Sequence, residues 1–245
     1  MIRIESRAYT IQQITFMSII LLHIETSTNV CSVALSENKI CLFSKSNDEG
    51  MNHAALLSVF IKEALEVLKT MDKKLDAVAV SSGPGSYTGL RIGVSTAKGL
   101  CYGYGIPLIS ISTLEVLTAQ ALQLTTQVGN ALFSPMIDAR RMEVYAAFYN
   151  STGIIQREIS ADIITSDSYA EILANQLVYF FGNGATKCKT TLTHPNALFI
   201  DNLVPLAENM ISFAEKAFIE NKFVDVAYFE PFYLKEFQTT QPKKL

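Results

Sequence analysis

Apolar and polar positions follow two different periods along this chain. Residues 18–25, SIILLHIE, are a short apolar run rich in isoleucine and leucine, which predicts a buried strand. Residues 30–36, VCSVALS, alternate and predict a second strand, and 40–44 predict a third. The connections between them are short and turn-prone, so the three strands are expected as antiparallel neighbours. A helical period covers 52–69, and a strand follows at 76–82. After a glycine-rich loop come a helix over 90–104, a strand at 106–112 and a helix at 113–124. Ser112 with Glu115 three residues later suits a helix start.

The order then repeats. Strands are predicted at 131–138, 142–150 and 153–159, a helix at 167–174, a strand at 178–181 and a final helix over 204–220. Each half reads strand-strand-strand-helix-strand-helix, with no matching repeat of residues. Each first strand ends in a carboxylate, Glu25 in one half and Asp138 in the other. A mixed sheet flanked by helices, present twice, predicts an α/β protein of two lobes with a cleft between them. This duplicated order is characteristic of the actin and sugar-kinase fold. The expected lobes are 17–112 and 113–237, with the C-terminal segment packing back on the first lobe and a tail at 238–245. Residues 1–16 are weakly patterned and lack a signal peptide's apolar stretch, so they read as an extension upstream of a start at Met17.

Composition narrows the function. Of 245 residues, 49% are apolar and 18% charged, which suits a large globular core. The net charge is −3 and no stretch is strongly basic, so a chain that grips nucleic acid unaided is not expected. Any RNA would be held with a partner. No apolar run reaches the ~18 residues of a membrane span. Cys31, Cys41, Cys101 and Cys188 form no CxxC pair and read as reduced thiols of a cytoplasmic protein. His23, His53 and His194 give no HxxxH or HExxH spacing, so no helical metal site is predicted.

The loop SSGPGSYTGLR at 81–91 carries the most candidate chemistry. Glycines let a ligand approach the backbone, and the helix start behind them offers free N–H groups. Yet neither the Walker spacing nor the Rossmann GxGxxG is present, and a structural strand-to-helix corner is the favoured reading. GSYTG puts Tyr87 where a GxSxG elbow needs serine, so Ser86 is not expected as a nucleophile. Glu25 and Asp138 could hold a hydrated magnesium ion across the cleft. Such acids are normally followed by glycine, whereas here Thr26-Ser27-Thr28 and Ala139-Arg140-Arg141 follow. Arg140 and Arg141 could bind phosphate or pair with Glu143 or Glu25. An actin-like ATPase or kinase therefore remains the alternative, with Glu25, Thr26, Ser27, Gly85, Ser86 and Asp138 as a weak nucleotide site.

Two helices suggest a partner surface instead. In NHAALLSVFIKEALEVLK, Leu57, Ile61, Ala64, Leu65 and Leu68 share one face. Leu56, Phe60 and Val67 widen the apolar arc to roughly 200°, where one core-facing stripe needs about 100°. Ser58, Lys62, Glu66 and Lys69 mark the wet side. The helix after the loop is interrupted by Gly93, Ala97, Gly99 and Gly103, a cost that close helix packing would justify. The expected interface comprises Leu56, Phe60, Ala64, Val67, Gly93, Thr96, Ala97 and Leu100, and could serve a homodimer or a heterodimer.

Six stretches carry a resemblance. They are ILLHIETSTNVCSVAL at 20–35, SSGPGSYTGLRIGVSTAKGL at 81–100, STLEVL at 112–117, IDARRMEVY at 137–145, FGNG at 181–184 and EPFYLK at 230–235. Together they resemble the TsaB (YeaZ) family over residues 19–237. Glu25 stands where that family more often has aspartate, and Tyr87 where it has phenylalanine. The resemblance implies an actin-like (ASKHA) fold and a cytoplasmic role in making threonylcarbamoyladenosine beside the tRNA anticodon. It implies a non-catalytic subunit that binds the paralogue TsaD through N-lobe helices, with the ATPase TsaE joining the complex. A homodimer through the same helices is implied when TsaD is absent. The resemblance also implies no cofactor of the chain's own, with ATP and magnesium entering only at the level of the complex, and contact with tRNA only through it.

Overall fold

The computed structural model describes residues 18–48, 52–125 and 129–234. The expected extension at 1–16 and the tail at 238–245 lie outside them. Two five-stranded mixed sheets make the frame. The first contains β1 (Ile20–Glu25), β2 (Cys31–Glu37), β3 (Ile40–Asn47), β4 (Ala77–Ser81) and β5 (Leu108–Ile111), in the order β3-β2-β1-β4-β5. The second contains β6 (Leu132–Asp138), β7 (Glu143–Tyr149), β8 (Ile155–Ile163), β9 (Val178–Phe181) and β10 (Ala197–Ile200), in the equivalent order β8-β7-β6-β9-β10. In each, the first three strands are antiparallel and the last two run parallel to the first. The repeated pattern of the sequence is thus a repeated topology.

The helices are α1 (His53–Thr70), α2 (Tyr87–Tyr104), α3 (Thr113–Leu124), α4 (Ala170–Asn175), α5 (Ala185–Cys188) and α6 (Ile211–Ile219). Helix α3 starts in a capping box: Ser112 Oγ accepts from Leu114 N and Glu115 accepts from Ser112 N. Two expectations fail for local reasons. Strand β10 escaped the pattern because all four of its residues are half-buried, leaving no alternation to read. The final helix starts later than residue 204 because Pro205 disfavours helix before it, and a 3-10 turn at Ala207–Met210 leads into α6.

Layers follow from the alternation. Leu22, Ile24, Val78 and Val80 point to one face of the first sheet, under α1 and α2. Leu21, Ala77, Ala79 and Ile109 point to the other, against Val116, Met210 and Ala214. Helix α3 also lays Leu114, Leu117 and Ala121 on Phe133, Ile137 and Phe181 of the second sheet, so it packs on both. The segment 223–234 runs back over the first sheet. Val224 N donates to Leu108 O, Phe232 N to Ser82 O, and Lys98 Nζ to the carbonyls of Ala227 and Phe229.

The broad apolar arc of α1 is mostly interior. Phe60 is 4% exposed and packs with Leu57, Ile61 and Ala64, with the Lys45 ammonium 5.0 Å from its ring centre. Phe60→Ala should therefore destabilise the fold by about 3–5 kcal/mol in urea denaturation, whereas Ser58→Ala on the exposed side should stay within about 0.5 kcal/mol.

Candidate functional site

The glycine-rich loop leaves β4 and turns into α2 against the chain that follows β1. Ser82 N donates to Ile111 O at 2.8 Å, and Ser86 N to Ser27 O at 2.6 Å. The Gly83–Pro84 peptide is cis. The Ser86 hydroxyl caps α2 by accepting from Gly89 N at 3.2 Å. Gly85, Gly89 and Gly93 recur at i, i+4 and i+8 along one line. A Cβ on them would lie 2.2 Å from Ser27 O, 2.1 Å from Thr26 O and 2.2 Å from Thr26 Oγ1. Thr26 Oγ1 donates back to Gly89 O at 2.8 Å. The amides of Ser86 and Gly89, which an anion would use, are spent on Ser27 and the cap. The loop is a corner clamped to its own protein.

Glu25, at the end of β1, directly precedes the clamped Thr26 and Ser27 and is fully buried. Its Oε1 accepts from Ser27 N at 2.6 Å and from Ser81 Oγ at 3.0 Å, while Oε2 has no partner among the described residues. Burial pushes its carboxyl up to about 7, only partly offset by these hydrogen bonds. Two residues away on the same strand face, His23 is also buried, and burial lowers it to about 3. Its Nε2 lies 2.8 Å from Ser36 Oγ.

Asp138 is differently placed. It is exposed at the end of β6, and Lys187 Nζ pairs with its Oδ1, which also accepts from Arg140 N at 2.9 Å. Asp138 N donates to Asn183 Oδ1 at 2.9 Å. Gly182 and Gly184 lie against Met136 O and the Ile137 carbonyl carbon, where a Cβ would come within 2.5 and 2.8 Å. The second half thus repeats the glycine clamp of the first. Arg140 and Arg141, at φ 71° and 47°, both occupy the left-handed region, at a cost of roughly 1–2 kcal/mol each. Glu25 is fully buried, and neither guanidinium pairs with it among the described residues.

Of the expected nucleotide residues, the structure gathers Glu25, Thr26, Ser27, Gly85 and Ser86 into one packed cluster, and seats Asp138 on the other sheet beside Lys187. Of the expected interface, Leu56, Val67, Thr96 and Leu100 are half-buried, but Phe60, Ala64, Gly93 and Ala97 are turned inside. The reason for Gly93 is Thr26, whose hydroxyl fills the space a side chain would need. The exposed face of α2 instead carries Ser95, Gly99, Tyr102 and Gly103, with Tyr102 88% exposed. A Cβ on Gly99 or Gly103 would meet nothing within 4 Å. Helix α1 touches α2 and exposes Ser58, Lys62, Glu66 and Lys69 as expected, together with Val59 at 48%. The signal for this outer face was present in the sequence: Gly99 and Gly103 are four residues apart, with Tyr102 beside them.

Similarity to known proteins fits this geometry. A family model for TsaD, tRNA N6-adenosine threonylcarbamoyltransferase, matches residues 48–236. The Escherichia coli K12 tRNA threonylcarbamoyladenosine biosynthesis protein TsaB is 30% identical over 234 residues, covering 88% of this chain and 94% of that protein. The chain belongs to the TsaB (YeaZ) family. YeaZ from Pseudomonas aeruginosa is 26% identical with a TM-score of 0.70, covering 88% of this chain and all of that one. A second Pseudomonas aeruginosa structure, described as similar to peptidase YEAZ, gives 27% and 0.74 over 89% of this chain. The fold is accordingly actin-like, of the ASKHA type.

The clamp and the buried pair are both testable. Gly89→Ala should destabilise the protein strongly in thermal melts, because Thr26 O is backbone and cannot step aside. Gly99→Ala, in open space, should be neutral or stabilise by up to about 1 kcal/mol. For Glu25, whose folded value is raised, native stability is fullest below its unfolded value and is lost as pH rises towards 7. For His23, whose folded value is depressed, stability is present above its unfolded value and lost on acidification towards 3. The two slopes oppose each other between about pH 4.5 and 6.5. Glu25→Gln should therefore uncover a stability that falls on acidification through that window, read from urea midpoints across pH.

Proposed function

We propose that this chain is a non-catalytic partner subunit that binds and supports a TsaD-type protein in forming threonylcarbamoyladenosine on tRNA. The observation that carries the reading is the outer face of α2, where Gly99 and Gly103 leave open backbone beside the exposed Tyr102. Small residues at i and i+4 let a second backbone come close, and an exposed aromatic supplies a large anchor at little entropic cost. On the neighbouring α1, Val59 is exposed, and Leu65 lies in a shallow cavity edged by Lys62, Glu66 and Lys69. A polar rim around a small apolar centre is the anatomy of a protein interface. The names of the relatives support the pathway, and the TsaD family model and a TsaD relative support a complex of this kind.

The strand-end acids support binding over turnover. A magnesium ion bridging phosphates needs accessible oxygen ligands. Glu25 is fully buried with Ser27 N on its Oε1, and Asp138 is ion-paired with Lys187. A second copy of the chain could occupy the same α1–α2 face when the partner is missing.

Gly99→Leu tests the surface without touching the core. The variant should fold with an unchanged or higher melting temperature yet lose copurification with TsaD by at least tenfold. A folded variant that still copurifies would overturn the interface. Adding the wild-type protein to a reaction lacking only the TsaB component should restore threonylcarbamoyladenosine synthesis. Magnesium-dependent ATP turnover by the purified chain, lost in Asp138→Ala, would instead favour an enzyme.

A further inference from the structure

The β6–β7 hairpin accounts for the left-handed backbone of its turn, but neither the fold nor the partner surface accounts for the residues that stand in it. Glycine or asparagine would fit its left-handed backbone, yet Arg140 and Arg141 stand there consecutively. Bulky residues held in such a conformation cluster at ligand clamps and other working sites. Both side chains are exposed, and among the described residues neither guanidinium enters an ion pair. The aspartate of the turn does not serve them: its carboxylate takes Lys187 Nζ and the Arg140 amide. Lys187 also donates to Glu143 O, so the base of the turn is tied down and its cationic tip is held outward. The turn is closed further by Ala139 N donating to Glu143 O and Glu143 N to Arg140 O. A rigid base with two planar five-donor forks at its tip is built for a series of anionic oxygens.

We propose that Arg140 and Arg141 contact neighbouring phosphates of the tRNA backbone, making this turn the chain's own hold on RNA within the complex. The inference rests on the functional reading above, which brings tRNA to the assembly. An RNA strand fits better than an acidic protein surface for a positional reason. The helices assigned to protein docking cover the first sheet, whereas the turn belongs to the second. The net charge of −3 makes a local cationic tip the form that such a hold would take in this chain.

The test is the double variant Arg140→Asn with Arg141→Gly, which removes both charges and suits the left-handed backbone, so it should fold at least as well as wild type. With TsaD, wild-type and variant complexes are titrated with tRNA over a series of salt concentrations. The variant should bind at least about fivefold more weakly at low salt, and the slope of log affinity against log salt should fall by about 1 to 2. Lys39→Gly, which removes a cation from the left-handed backbone of the β2–β3 turn, should change neither. Unchanged affinity and slope in the double variant would overturn the proposal. Loss of TsaD binding would also overturn it, by assigning the arginines to a protein surface. If the wild-type chain does not assemble with TsaD, the functional reading fails separately. The same titration of the chain alone at low salt then still decides the arginine contact by the same difference.

Discussion

The seat of α2 on the chain after β1 governs which face of that helix is buried and which is exposed. Backbone meets backbone there: Ser27 O receives the Ser86 amide, and the carbonyls of Thr26 and Ser27 fill the space that side chains on Gly89 and Gly85 would need. Such contact is possible only without a Cβ, and it fixes the rotation of α2 about its axis. Gly93 and Ala97 go inward with that rotation, and Ser95, Gly99 and Tyr102 go outward. The same contact consumes the amides that would make the loop a phosphate cradle. One packing decision therefore spends the loop's amides and sets which face of α2 is exposed.

The two halves share this device and then diverge in electrostatics. Gly182 and Gly184 lie against the end of β6 much as Gly85 and Gly89 lie against the chain after β1. In the first half the terminal acid is drawn into the interior, where burial holds its carboxyl near neutrality. In the second it is left in water with a lysine beside it. The two strand-end carboxylates thus differ in solvation and in charge pairing. What the duplicated fold retains is rigidity: a firm platform for helices on one sheet and for a strained, cationic turn on the other.

The placement of Glu25 and His23 on one buried strand face has a cost that the fold tolerates. Each is driven towards its neutral form by desolvation, in opposite directions of pH, so their contributions to stability partly cancel across the mildly acidic range. Buried polar groups of this kind are kept where they specify an arrangement, and here Glu25 takes the amide of Ser27, whose carbonyl seats α2.

Much of the architecture was legible in the chain itself. Period-2 and period-3.6 patterns are local consequences of backbone geometry, so the order strand-strand-strand-helix-strand-helix could be read twice, and Ser112 with Glu115 marked a helix start correctly. The GPGSYTGLRIG and IDARRMEVY stretches carried the family, because turns and close approaches tolerate few residue types. The half-buried β10 gave no alternation, and the direction in which each apolar helix face turned was not local information. Phe60 and Ala64 could be read as outer or inner from periodicity alone, since an arc of about 200° serves two neighbours equally. Only the tertiary structure decided that this arc is spent on the protein's own core and that Gly93 belongs to Thr26. It left Gly99, Gly103 and Tyr102 to the outside because a helix's rotation is set by what it packs against, and that contact lies some sixty residues away in sequence.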